Sequence, residues 1–268
     1  MTTSEKERAR QTVERASRKA HREEQERTAG KAKELAEKRV RQVQQRSGLR
    51  RFLFENGLSL AAFGLFLFSF VGQIVAGHRT HNEEQRAHAE ASVTLGEYLR
   101  SGVFIEATAE NWESEFLQMG LFVLLTAFLF QRGSSESKRL EEAEVVDQEP
   151  SEAREDPDAP WPVRHGGLPL ALYKHSLSLA LMLLFAISFT IHAVGGAMAY
   201  NEDQRQHGEA TVSVLGYVAT SRFWFESFQN WQSEFFSVGV LVLLSIWLRQ
   251  FGSAQSKPVA APMRETSE

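Results

Sequence analysis

Polar and apolar residues are sorted into long blocks along this chain, so the pattern reads as segments and not as one amphipathic fold. Residues 57–77 carry no charge over 21 positions. As a helix they would span about 30 Å, the thickness of a hydrocarbon core. A buried helix of a soluble domain of that length would show a polar face, so the stretch is expected to cross a membrane. Residues 176–200 are long enough to do the same. Two shorter apolar runs, 116–130 and 235–248, reach spanning length when extended to 112–131 and 231–250. The expected fold is all-α: an integral membrane protein with four transmembrane helices.

The polar blocks fill the rest. Residues 1–51 hold 16 Lys/Arg against 8 Asp/Glu and no proline, a composition that favours helix. The apolar positions there are mostly small, such as Ala9, Val13, Ala16 and Ala20, which is poor material for a coiled-coil seam. A charged, basic, solvated helical segment is expected. Arg39, Arg41, Arg46, Arg50 and Arg51 stand just before the first apolar run. Each would add about 1 kcal/mol of attraction to anionic lipid, a candidate partner. The first 48 residues are too polar for a signal peptide. Ten acidic residues fall between Glu136 and Asp158, and four prolines between Pro150 and Pro162. That stretch is expected to be an acidic, disordered linker. The resulting division is 1–51, a first membrane unit 52–138, the linker 139–167, a second membrane unit 168–257 and a tail 258–268.

The chain repeats itself at an offset of 119 residues. N-E-E-Q-R at 82–86 recurs as N-E-D-Q-R at 201–205, and N-W-E-S-E-F at 111–116 as N-W-Q-S-E-F at 230–235. Leu95-Gly96 matches Leu215-Gly216, which implies one residue inserted in the second copy. Each copy would be a span, an outer loop and a second span, so the two enter the membrane the same way as parallel repeats. Arg132, Lys138, Arg139, Lys174, Arg249 and Lys257 flank the spans on the side of the basic N-terminus. Both termini and the linker are therefore expected in the cytoplasm.

G-L-S-L, N-E-E-Q-R, L-G-E-Y-L, N-W-E-S-E-F-L-Q and Q-R-G-S-x-E-S-K together resemble a bacterial integral-membrane family catalogued as a domain of unknown function. The resemblance covers about 54–138 well and 174–257 more loosely. The second copy departs where Ser176, Tyr217 and Gln232 replace Gly57, Glu97 and Glu113. The resemblance implies a multi-pass protein of the bacterial plasma (inner) membrane. It implies no activity, substrate, cofactor or catalytic residue.

Composition then narrows the chemistry. There is no Cys, which excludes disulfides, thiolate metal sites and cysteine nucleophiles. No phosphate-binding glycine loop, H-E-x-x-H or G-x-S-x-G is present, so no enzyme is indicated. The basic N-terminus lacks interleaved aromatics, which argues against nucleic acid. On a helix, Asn111, Glu115 and Gln118 share a face, as do Asn230, Glu234 and Ser237. Trp112 and Trp231 stand beside them as candidate interfacial anchors. Gln73 in the first span corresponds to His192 in the third. One polar layer is therefore expected to gather Gln73, Asn111, Glu115, His192, Asn230 and Glu234. It would be either an interhelical hydrogen-bond network or a proton or metal site, with His192 its one strong nitrogen ligand. The alternative is simple interface anchoring, with the carboxylates wet.

Outer-loop His78, His81, Glu84 and His88 form a second chelating pattern. There Asn82 and Gln85 have the spacing of a helix start, and Thr94 and Glu97 that of a second one. Gly195-Gly196 is a candidate break in the third span. The leading function is a non-enzymatic membrane protein acting by assembly, as a homo-oligomer or with a membrane partner. A solute or ion conduit at the repeat interface is the alternative, and a membrane-embedded metal-dependent enzyme the third.

Overall fold

The structure, a computed structural model, describes residues 30–31, 33–140, 143–263 and 266. Most of the basic segment, up to residue 29, lies outside the described residues. The described residues are all-helical, with no strand. Chain contacts divide them into a first unit that ends at Val75 and a second, Ala76–Glu268.

The first unit holds a helix over 33–44 (α1), α2 (Gly48–Glu55) and the start of α3 (Gly57–Ala87). Asn56 separates α2 from α3, its side-chain amide donating to the Phe52 carbonyl at 2.9 Å. Arg46 stacks on the Phe54 ring at 3.8 Å, and Arg51 pairs with Glu55 at 2.8 Å. Along α3 the large apolar side chains, among them Leu58, Phe63 and Phe68, are exposed.

The second unit contains the end of α3, α4 (Leu95–Tyr98), α5 (Gly102–Phe128), α6 (Trp161–His165), α7 (Gly167–Lys174), α8 (Ser176–Gln206), α9 (Val214–Val218) and α10 (Ser221–Trp247). The helices expected over 112–131 and 231–250 begin about three turns earlier and stop sooner, at Phe128 and Trp247. Ser101 and Thr220 cap their starts, each accepting from a backbone amide three residues on at 3.3 Å. The expected linker carries two short 3₁₀ turns (Val145–Asp147, Pro150–Ala153) and α6. Lys138–Asp147 at 2.6 Å and Lys174–Glu149 at 2.9 Å hold those turns.

α5 packs along α8, with α10 against α5 and α9 against α8 and α10. The α5–α8 approach is set by glycine. A Cβ on Gly195 would come within 2.7 Å of the Glu106 amide nitrogen, and one on Gly102 would strike the Ala199 amide. Small residues are what lets two helix backbones touch. Gly195 and Gly196 therefore do not break the third expected span; α8 runs through them, and Gly196 makes room for the Tyr217 ring. Gly77 does the same for Tyr98.

The Asn82 helix start is not observed either. α3 continues past it to Ala87, and Asn82 instead clips the following loop. Its amide donates to Val93 O at 3.0 Å and its carbonyl accepts from Val93 N at 2.7 Å. Asn201 and Val212 make the same pair of bonds at 2.9 and 2.7 Å. The Thr94–Glu97 capping box forms as expected, and bonds from Thr94 hold the Glu97 carboxyl below the usual carboxylate range.

The packing makes a directional prediction. Gly195→Leu should destabilise the protein by about 1–3 kcal/mol or more through overpacking. Gly239→Ala, where an added Cβ meets nothing within 4 Å, should be neutral or stabilising by up to about 1 kcal/mol. Thermal unfolding in detergent checks both.

Candidate functional site

Three carboxylates of α5 recur at helical spacing. Glu106, Glu110 and Glu113 lie at i, i+4 and i+7, and the stripe continues through buried Leu117 and Gly120. α5 thus turns its acidic stripe inward because the same face turns apolar further along. Glu113 is completely buried. Its two oxygens are both used: one faces His192 Nδ1 at 2.7 Å and the other accepts from the Trp231 indole at 2.9 Å. His192, on α8, is fully buried and stacks on Phe223 with ring centres 4.8 Å apart.

The other edge of His192 faces α10. Its Nε2 lies 3.7 Å from a Glu226 oxygen and has no hydrogen-bond partner. Arg222 Nε holds the second Glu226 oxygen at 2.9 Å. Tyr217, brought over the site by α9, places its hydroxyl 2.9 Å from Glu106 and in hydrogen-bond contact with Glu226. Burial pushes the Tyr217 hydroxyl well above its ordinary pKa and the facing carboxylates raise it further, so it stays a donor. Glu110 is close enough to interact electrostatically with His192 and the other three carboxylates. One ligand atom each from Glu106, His192 and Glu226 fall within 4.8 Å of one another.

Only part of the expected polar layer is assembled here. His192 is central, but its partner is Glu113, not Glu115, which is exposed. Asn111 and Asn230 bond back to their own helices, at Ala107 O (2.7 Å) and Glu226 O (3.0 Å). Glu234 is half-buried beside Glu115. Gln73 is half-buried in the first unit. Of the two tryptophans, Trp112 is exposed as an anchor would be, whereas Trp231 holds Glu113. In the loop, His78 bonds to Val93 O at 2.8 Å and packs with His81 on Tyr98. His88 bonds to the Glu84 carbonyl at 2.9 Å. These side chains serve the loop's own structure. Of the five arginines near the first apolar run, Arg39, Arg41, Arg50 and Arg51 are exposed and Arg46 is half-buried; Arg41 and Arg51 pair with Glu37 and Glu55, and Arg46 stacks on Phe54. Glu106, Glu110, Glu113, Tyr217 and Glu226 went unsingled by sequence reasoning. The spacing of the three α5 carboxylates, continued by Leu117 and Gly120, was the available signal.

Among the described residues the architecture is all-helical, with two helices, Gly57–Ala87 and Ser176–Gln206, long and apolar enough to cross a membrane. The chain belongs to the family described as a domain of unknown function (DUF6766), whose model matches residues 49–268. No curated protein and no solved structure matches it.

The two adjacent glutamates give opposite expectations. Glu113→Ala strands buried His192 and Trp231, which should cost about 3–5 kcal/mol. Glu115→Ala should stay within about 0.5 kcal/mol. Paired denaturation curves in the same detergent decide between the two faces of α5.

Proposed function

We propose that this is a bacterial inner-membrane protein that crosses the bilayer four times and works by assembly or partner binding, without turnover or transport. The α3 and α8 helices supply two crossings. The uncharged ends of α5 and α10 supply the others, their Leu124, Leu125, Phe128, Leu241, Leu244 and Trp247 exposed to meet lipid. The helices α3, α4 and α5 have 31, 4 and 27 residues, and α8, α9 and α10 have 31, 5 and 27. The bounds of the long helices shift by one constant offset, 176 − 57 = 206 − 87 = 221 − 102 = 247 − 128 = 119. This supports a duplicated hairpin. Tyr98 against Gly77 and Tyr217 against Gly196 keep the same offset, so the copies align at 119 through this loop without the inserted residue. Both termini and the linker face the cytoplasm in this reading, where exposed Arg39 and Arg50 are available to anionic lipid.

One observation carries the choice of binding over conduction. The ionisable groups of α5 and α10 lie between their starts and their midpoints, up to Glu115 and Glu234, and those of α8 lie between His192 near its middle and its C-terminal end. Beyond Gln118, α5 has Thr126 as its sole polar side chain, and beyond Ser237, α10 has Ser245. The Thr126 hydroxyl bonds to its own helix at Val123 O (3.1 Å), and the Ser245 hydroxyl to Val242 O (2.9 Å) and to Ser134 and Ser135 just after α5. Intramembrane ionisable residues mark conduction paths, and the acidic stripe of α5 does not continue past Glu115, nor does α10 carry an ionisable residue past Glu234.

Two measurements test the reading. Proteoliposomes should show ion and proton flux no greater than empty vesicles, while cross-linking in native membranes should give a discrete adduct; flux abolished by Glu113→Gln would favour a conduit instead. For topology, Ser151→Cys gives a single thiol because the chain has no Cys. It should react with a membrane-impermeant maleimide after lysis but not in intact cells.

A further inference from the structure

We propose that Glu106, His192 and Glu226 bind one divalent transition-metal ion of the kind taken by mixed imidazole and carboxylate ligands, such as zinc or manganese. This goes beyond the assembly reading and does not depend on it.

The first argument is the state of His192. A metal-bound histidine uses one ring nitrogen as ligand and donates its other N–H to a carboxylate, which fixes the tautomer. His192 has that arrangement. Nδ1 lies 2.7 Å from Glu113, a donor–acceptor contact that places a proton on this nitrogen. Nε2 is left facing Glu226, at 3.7 Å, too far for a hydrogen bond, and it is buried without a partner. A buried nitrogen with no partner is costly, and a cation between it and the carboxylates would satisfy it.

The second argument is charge. Glu106 and Glu226 converge on one Tyr217 hydroxyl. A phenol has a single proton, so it can donate fully to only one of them. Arg222 answers one further charge on Glu226. Like carboxylates gathered in a buried site repel, and a divalent ion is the compact way to offset them.

The third argument is fit. Zinc ligands sit about 2.0–2.2 Å from the metal, so ligand atoms at tetrahedral angles lie about 3.3–3.6 Å apart. The three donor atoms already lie within 4.8 Å of one another, and His192 Nε2 is 3.7 Å from a Glu226 oxygen. Small side-chain rotations close the remainder. The outer supports are also in place: Trp231 on Glu113 and Arg222 on Glu226. Three protein ligands leave a coordination position for water or a partner's donor atom.

The test uses the full chain in detergent, stripped with a chelator, then equilibrated with zinc(II) or with manganese(II) and desalted. Metal analysis should find about one ion per chain. Glu106→Gln and Glu226→Gln conserve shape and remove repulsion, so they should remain folded while affinity falls at least about tenfold. Glu113→Gln touches no metal but should cost about 10–100-fold by releasing His192. Glu115→Gln should bind as wild type. Cobalt(II) loading of the wild-type chain should give visible absorption bands that Glu106→Gln/Glu226→Gln loses. Folded wild-type protein that takes up less than about 0.2 ion per chain, or a double variant that binds as tightly as wild type, overturns the site.

Discussion

The contact between α5 and α8 is the constraint on which the site depends. Gly102 and Gly195 remove the side chains that would hold the two backbones apart. Only at that separation can Glu113 reach His192 at 2.7 Å. The bond then propagates. Trp231 is drawn onto the free oxygen of Glu113, and Phe223 stacks on the outer face of the imidazole. α10 is thereby placed so that Glu226 and Arg222 close the remaining side. A burial problem created at one residue is answered by three helices.

Gathering four carboxylates, Glu113 fully buried and the others partly so, near one imidazole and one guanidinium is expensive, and the surrounding geometry shows how the cost is limited. Each oxygen of Glu113 has a donor. Glu226 is held by Arg222 and Tyr217, and Glu106 by Tyr217. What is left over is specific: one nitrogen of His192 and the hydroxyl of Ser227, both buried without partners. A network left open at an inward-facing imidazole nitrogen behaves as a preformed receptor more than as a structural staple.

Much of the architecture was legible in the sequence, and the reasons are physical. Uncharged stretches near 57–77 and 176–200 could be nothing but long apolar helices, and the Thr94–Glu97 spacing announced its capping box. Helix starts were misjudged because Ser101 and Thr220 cap well upstream of the apolar runs, where the first turns are still polar. Asn82 misled because a side-chain amide that clips a loop has the same sequence signature as one that caps a helix. The site itself was only half visible. Asn, Trp, Ser and Glu at 111–115 stand out in the sequence because 230–234 keeps them. In the structure Asn111 and Asn230 merely bond to their own helices. The carboxylates and the imidazole that converge differ between the halves: at the same offset of 119, Glu106, Glu110 and Glu113 stand against Phe225, Gln229 and Gln232, and His192 and Glu226 against Gln73 and Ala107, whereas Tyr217 and Trp231 stand against Tyr98 and Trp112.

That one-sidedness bears on stoichiometry. An assembly of two identical short chains must carry every side chain twice, so a glutamate placed to meet a histidine across the axis would be matched by a mirror pair. Both positions would also have to tolerate each change at once. Two stretches of one chain are free of that requirement. One half is then free to become the acidic wall and the other to supply the imidazole, while the shared clips at Asn82 and Asn201 keep both in the same shape. The two stretches at the 119 offset therefore carry different chemistry on helices of equal length, as the two chains of a heterodimer do.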